Sequence, residues 1–215
     1  MIRRLVASVA FAALAASLLP AAPLAAQVPR LPVINHGVPR GILIAGDVGF
    51  PNSASGGGET YAVTGELGLG LLGFTATLGS TMPDGGTSAG VYGGTANLRI
   101  IGGPLVPFFV NLQGGVGYAD LDGAKTTHVP VGAGFGLTIP LPIFGLKPWI
   151  APRYDYTSVS GAGGGSTSTS AFAWSAGLDI AFIFGLGIRA AYDQTNTGSQ
   201  KPSTWSIGAK WSFGV

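Results

Sequence analysis

The chain closes on Trp205-Ser206-Ile207-Gly208-Ala209-Lys210-Trp211-Ser212-Phe213-Gly214-Val215, and this stretch decides the fold. Trp205, Ile207, Ala209, Trp211, Phe213 and Val215 fall on one face; Ser206, Gly208, Lys210, Ser212 and Gly214 fall on the other. Side chains that alternate with period 2 belong to a β-strand, because successive Cβ atoms point to opposite faces; a helix would gather neither set on one side. The same split recurs upstream. Phe108, Val110, Leu112, Val116 and Tyr118 oppose Asn111, Gln113, Gly115 and Gly117. Phe172, Trp174, Ala176, Leu178 and Ile180 oppose Ser175, Gly177 and Asp179, and Leu186, Ile188, Ala190 and Tyr192 oppose Gly187, Arg189 and Asp193.

Ten segments carry this pattern: 40–50, 59–70, 72–81, 88–101, 106–120, 127–139, 147–157, 169–181, 185–194 and 203–215. Eight is the alternative count, with 59–70 and 72–81 the first pair to merge. Most segments are near the ~9–11 residues a tilted strand needs to cross a hydrocarbon core. The connections alternate in kind. Those at 51–58, 82–86, 121–126, 158–168 and 195–202 are mostly polar, whereas 70–73, 102–105, 140–146 and 182–185 are mostly short and apolar. Long polar loops at one end and short turns at the other are the asymmetry of outer-membrane barrels. Residues 40–215 therefore predict one all-β domain, a closed antiparallel up-and-down transmembrane β-barrel.

Composition points the same way. Only 9% of the 215 residues are charged, and mean hydropathy is +0.44; a soluble domain carries about 25% charge. A water-soluble sandwich or lipocalin-like barrel also alternates, but it needs a charged outer face that this chain cannot furnish. The aromatic residues supply a second reason. Tyr61, Tyr92, Tyr118, Tyr154, Tyr156 and Tyr192, joined by Trp205, lie on the apolar face near the ends that meet polar loops, while Phe74, Phe108, Trp211 and Phe213 lie near the opposite ends. Amphipathic rings at two levels form the girdles that mark headgroup depth.

Residues 1–26 read as a signal peptide: Arg3 and Arg4 as the positive region, an apolar run over 5–19, then small residues ending in Leu24-Ala25-Ala26. The apolar run is shorter than the ~20 residues of a spanning helix. Without Arg3 and Arg4, nine basic residues face nine acidic ones, so a pI of about 9.0 argues for no nucleic-acid partner. Residues 27–39, with three prolines and no period, predict an extended periplasmic arm. The absence of cysteine excludes disulfides, thiolate metal sites and a lipid-bearing N-terminal cysteine.

The polar face must line the lumen, because an outward Arg or Lys at midplane costs about 2–4 kcal/mol. It carries Asp47, Glu66, Arg99, Arg153, Asp155, Asp179, Arg189, Asp193 and Lys210. Mixed signs favour internal pairing over an ion-selective ring, so any channel here is expected to be narrow and weakly selective. A hairpin over 182–185 sets Asp179 opposite Arg189 and predicts a salt bridge between them. Inward glycines (Gly68, Gly115, Gly117, Gly132, Gly134, Gly136, Gly177 and Gly187) leave space for a thin water path or for the arm. Phe109 and Trp149 would close the periplasmic rim, although aligning Pro148 with Pro107 turns Trp149 outward. Pro130 and Pro152, inside strands, read as bulges or strand ends.

The stretches Pro107-Phe108-Phe109 to Gly115-Val116-Gly117-Tyr118 and Pro148-Trp149 to Arg153-Tyr154-Asp155-Tyr156, with the export signal and glycine-rich strands, resemble the OmpA/opacity type of small outer-membrane barrel. The resemblance covers 40–215. It implies residence in the outer membrane of a Gram-negative bacterium, contact with its lipid, and insertion by the assembly machinery that reads the last strand. Many such chains end on an aromatic residue and have eight strands; this one ends on Val215.

For function, the sequence supports a monomeric structural barrel or small passive pore. A surface-binding barrel acting through its loops and a lipid-modifying enzyme are the alternatives. Catalysis finds little to build on: His36 falls in the arm, and His128 reads as a surface histidine near a strand end. The Gly161–Gly165 run lacks the helix and Lys-Ser/Thr pair of a phosphate loop, and Asp84, Asp120 and Asp122 are too scattered for calcium. No enzyme activity, metal or cofactor is expected.

Overall fold

The computed structural model describes residues 28–103, 106–121, 123–161, 165–198 and 201–213; the expected signal peptide lies outside them. Six strands run as an antiparallel meander: β1 (Gly41–Pro51), β2 (Glu59–Leu69), β3 (Leu72–Met82), β4 (Ala89–Gly103), β5 (Val106–Leu121) and β6 (Ala124–Leu137). After β7 (Ile139–Pro140), the meander continues through β8 (Phe144–Ser160), β9 (Ser166–Phe182), β10 (Leu186–Asn196) and β11 (Ser203–Phe213). β7 is a two-residue ladder folded back on Gly145 and Leu146. The other ten strands form the wall, since β6 pairs with β8 and β1 pairs with β11 from Ile42–Phe213 to Pro51–Thr204. Closure leaves no unpaired edge, which lipid requires because it offers backbone groups no hydrogen-bond partner.

Strand lengths depart from the expected ones at the loop end. β5 runs to Leu121 and β6 starts at Ala124, the two paired opposite each other, so 121 and 124–126 of the loop anticipated over 121–126 are strand. β8 and β9 are 17 residues each, so 158–160 and 166–168 of the loop anticipated at 158–168 are strand. These exceed what a tilted strand needs to cross the hydrocarbon. The excess is Ser- and Thr-rich (Thr157-Ser158-Val159-Ser160 against Ser166-Thr167-Ser168-Thr169), paired residue by residue above the tyrosine level.

The two prolines are neither bulges nor strand ends. Pro130 pairs opposite Asp155 on β8, but on the β5 side the ladder skips from Gly114–Val131 to Gly117–His128. Pro152 pairs opposite Trp174, and on the β6 side the ladder skips from Gly132–Arg153 to Phe135–Ile150. Register is the same on both sides of each gap. A residue with no N–H to donate opens one side of the ladder and leaves strand alignment intact. The true irregularity lies in β4, where register shifts between Arg99 and Gly103.

The outer surface is apolar. Val63, Leu78, Val131, Phe172, Trp205 and Ile207 are each more than half exposed. Tyr92 stacks on Tyr118 with ring centroids 5.0 Å apart, and Tyr192 bridges Trp174 (5.4 Å) and Trp205 (4.6 Å), a continuous aromatic contact near the loop end. Trp211 and Phe213 contact each other at the turn end, 4.3 Å apart. Inside, many inward wall positions hold alanine, including Ala45, Ala62, Ala119, Ala151, Ala173 and Ala191, so wide side chains do not fill the barrel.

Candidate functional site

What fills it is the arm. Residues 28–39 do not hang below the barrel in the periplasm; they run through the lumen from the loop end to the turn end. Val28 packs with Val91 and Ala119, and Arg30 donates to the Gly57 carbonyl of the first loop. Lower down, the Val33 N–H donates to Asp193 (3.1 Å) and the Ser175 hydroxyl donates to the Val33 carbonyl (2.6 Å). Gln113 donates to the Ile34 carbonyl (2.9 Å), Asn111 donates to the Asn35 side chain, and Arg99 donates to the Val38 carbonyl (3.0 Å). At the turn end, Pro39 lies against Gly68.

The wall is shaped for this occupant. A Cβ on Gly134 would collide with the side chains of Asn35 and Asn111, and one on Gly68 with the Pro39 carbonyl. Other inward glycines accommodate wall side chains instead: Gly132 sits under Arg153, Gly136 under Phe109, Gly177 under Trp149 and Gly187 under Lys210. Trp149 faces inward and is buried with Phe109, the pair packing with Ala151, Ala191 and the arm's Ile34. The inward parity, not the alignment of Pro148 with Pro107, describes β8. Gly37 takes a left-handed conformation (φ +89), and a Cβ there would lie 3.1 Å from the Phe109 ring, so a side chain would be both strained and crowded.

The lumenal charges form two clusters. In the loop-end half, Arg153 makes a bidentate pair with Asp155 (2.8 and 3.0 Å) and reaches Asp193 (2.8 Å), while His128 Nε2 lies 3.2 Å from Asp155. In the turn-end half runs a chain of alternating sign, Asp47–Arg189–Glu66–His36–Asp179–Lys210. Arg189 grips Asp47 through two nitrogens and meets Glu66 at 3.2 Å; His36 places Nε2 2.9 Å from Glu66 and Nδ1 2.6 Å from Asp179; Lys210 closes on Asp179. With a carboxylate at each ring nitrogen, His36 satisfies both as an imidazolium donating from both, and three acids then balance three cations.

Several expectations are corrected by this geometry. Asp179 and Arg189 do sit opposite in register, yet Arg189 turns to Asp47 and Glu66 while Asp179 is taken by His36 and Lys210. His128 faces the lumen and Asp155, not the surface. His36 is 4% exposed at the centre of the charge chain. Lys147 was missed altogether. It lies on the inward parity of β8 with Trp149, Ala151, Arg153 and Asp155, and its ammonium sits 5.1 Å from the centroid of the Phe109 ring. The alternation had the signal, had it been continued to the start of the strand.

Beside the arm at the level of Asp47, Glu66 and Arg189 there is a cavity of about 20 Å³, room for about one water molecule. A vestibule of about 160 Å³ at the loop end, lined by Arg30, His128, Arg153, Asp193 and several hydroxyls, reaches down to the arm. Among the described residues, no cluster of His, Asp and Glu is arranged to hold a metal ion.

No protein-family model matches the chain, and a search of curated proteins finds no match. Solved structures do. The β-domain of the Bordetella autotransporter BrkA aligns with a TM-score of 0.53 at 15% identity, over 80% of this chain and 98% of that one. The N-terminal barrel of Pseudomonas aeruginosa OprF (TM-score 0.40, 11% identity, 81% and 98%) and the outer-membrane enzyme PagL (0.41, 14%, 80% and 99%) are also similar. At such identities the likeness is one of fold. With an apolar, aromatic-banded exterior around a polar lumen, the likeness to the BrkA domain defines the fold class: a closed up-and-down β-barrel of the outer-membrane kind.

Proposed function

We propose that the protein is a monomeric, non-enzymatic barrel whose lumen is held shut by its own N-terminal arm, so that it is structural while the arm is in place and a narrow passive pore when the arm leaves. The observation that carries this reading is the arm's bonding at successive levels of the lumen, from Arg30 to Val38, with Pro39 against Gly68 at the turn end. A wall without a free edge supports a barrel complete in one chain. Both ring nitrogens of His36 are committed to carboxylates, which supports a structural role over a catalytic one.

Planar-bilayer recording tests the proposal. The intact refolded chain should be silent over many insertions. Replacing Asn35 and His36 together by alanine removes the two side chains by which the lumen holds the middle of the arm, and brief step-like openings should appear. Steady conduction by the intact chain would overturn the reading. Silence of the double variant would shift closure from the arm to the wall.

A further inference from the structure

We infer that the lumen is a receptor for an extended polypeptide, filled here by residues 28–39, and able to take the same segment as a separate molecule. The inference rests on the plugged reading above and names the ligand of the same site. Three features of the contact carry it.

The first is the kind of bond. Asp193, Ser175, Gln113 and Arg99 all reach the arm's main chain, at Val33, Ile34 and Val38. Main-chain bonds recognise a backbone conformation irrespective of its side chains. Three side chains are read as well: Arg30 by the Gly57 carbonyl, Asn35 by Asn111, and His36 between Glu66 and Asp179. These bonds satisfy main-chain groups that burial in the lumen would otherwise leave without a partner.

The second is the fit of the wall. Gly134 and Gly68 provide close approach for Asn35 and Pro39, and Gly49 does so for Leu31. The third is the ligand's own stiffness. Pro29, Pro32 and Pro39 fix three of its φ angles, and residues 28–31 form a turn closed by the Leu31 N–H on the Val28 carbonyl, with Arg30 at φ +72, before the irregular run over 32–39. A segment with three prolines gives up less freedom on binding than an unrestrained one, which lessens its dependence on the covalent link at residue 40.

The test uses the full chain carrying a protease recognition sequence inserted between Pro39 and Arg40, folded into lipid vesicles and cut afterwards. A fluorescent synthetic peptide of residues 27–39 is then added in excess. Uptake should approach one peptide per barrel and be blocked by unlabelled peptide. A peptide with alanine at both Asn35 and His36 should compete on the order of tenfold less well, as expected for lost hydrogen bonds to charged groups, and a scrambled peptide should compete least. A barrel that releases its cut arm on washing and then takes up no labelled peptide overturns the receptor, a cut arm retained through washing supports it, and a scrambled peptide that competes equally overturns its reading of the Asn-His pair. The uncut chain is recorded in the bilayer alongside: conduction there fails the plug reading, whereas lost uptake by a barrel whose uncut form is silent fails the receptor alone.

Discussion

Arg189 shows what a single residue's position in a strand does and does not determine. Period 2 makes its facing legible, and the hairpin at 182–185 makes Asp179 its opposite neighbour. Neither says which acid it will hold. A long guanidinium reaches past its cross-strand neighbour, and Asp47 offers the bidentate geometry it prefers, while Asp179 is drawn to a histidine from a segment with no register to the wall at all. The pairing predicts its own energetics. Asp47→Asn leaves Arg189 buried with Glu66 alone, and breaking a buried pair in this way costs on the order of 3 kcal/mol. Arg189→Met should cost a similar amount, but the two together should lose clearly less than the sum, because the double variant leaves neither of the pair charged and buried alone. Urea titration of folding in vesicles measures all four proteins; additive losses would reject the pair. The cycle between Asp179 and Arg189, in contrast, should show little direct coupling.

At the scale of the element, the strands were readable and the arm was not, and the difference is physical. Each strand repeats its environment every second residue, lipid then lumen, so its sequence carries a period. The arm is surrounded by lumen on every side and is held largely through its own main chain, so nothing forces a period upon it, and three prolines with no alternation look the same inside a barrel as outside one. Inward glycines were legible as space but not as a mould, since glycine reports only that something passes close. Gly134 tests the mould. Gly134→Ala places a Cβ onto the Asn35–Asn111 contact and should cost about 1–3 kcal/mol, as overpacked sites do. Gly46→Ala, with nothing within 4 Å of the new Cβ, should be close to neutral in the same folding assay. Equal effects would show that the arm is not seated against the wall at this level.

The whole molecule has a polarity that neither residue nor element displays. Outside the lumen, the charged residues Glu59, Asp84, Asp120, Lys125 and Lys201 are exposed at the loop end, whereas Arg40 is the exposed charge at the turn end among the described residues. In place of charge, the turns carry Leu71, Ile143, Ile183 and Phe184, at 60%, 73%, 62% and 86% exposure. From Tyr154, in the upper aromatic band, to Ile143 along β8 is about 11 residues, which at ~3.3 Å each and a ~40° tilt gives a height of about 28 Å. An apolar barrel band is about 25 Å tall, so the band ends at the tips of the turns and, among the described residues, no polar skirt lies below it. The turn tips should therefore rest at the inner lipid boundary instead of standing in periplasmic water. The chain has no cysteine, so single cysteines placed at Ile143, Phe184, Asp84 and Lys201 can each carry one spin label in vesicles. Labels at 143 and 184 should be relaxed by oxygen, which concentrates in lipid, more than by a water-soluble nickel complex, and labels at 84 and 201 should show the reverse. Nickel dominance at 143 and 184 would place the turns in water, and the hydrocarbon boundary would then have to fall higher on the barrel, nearer Phe74, Phe108 and Trp211.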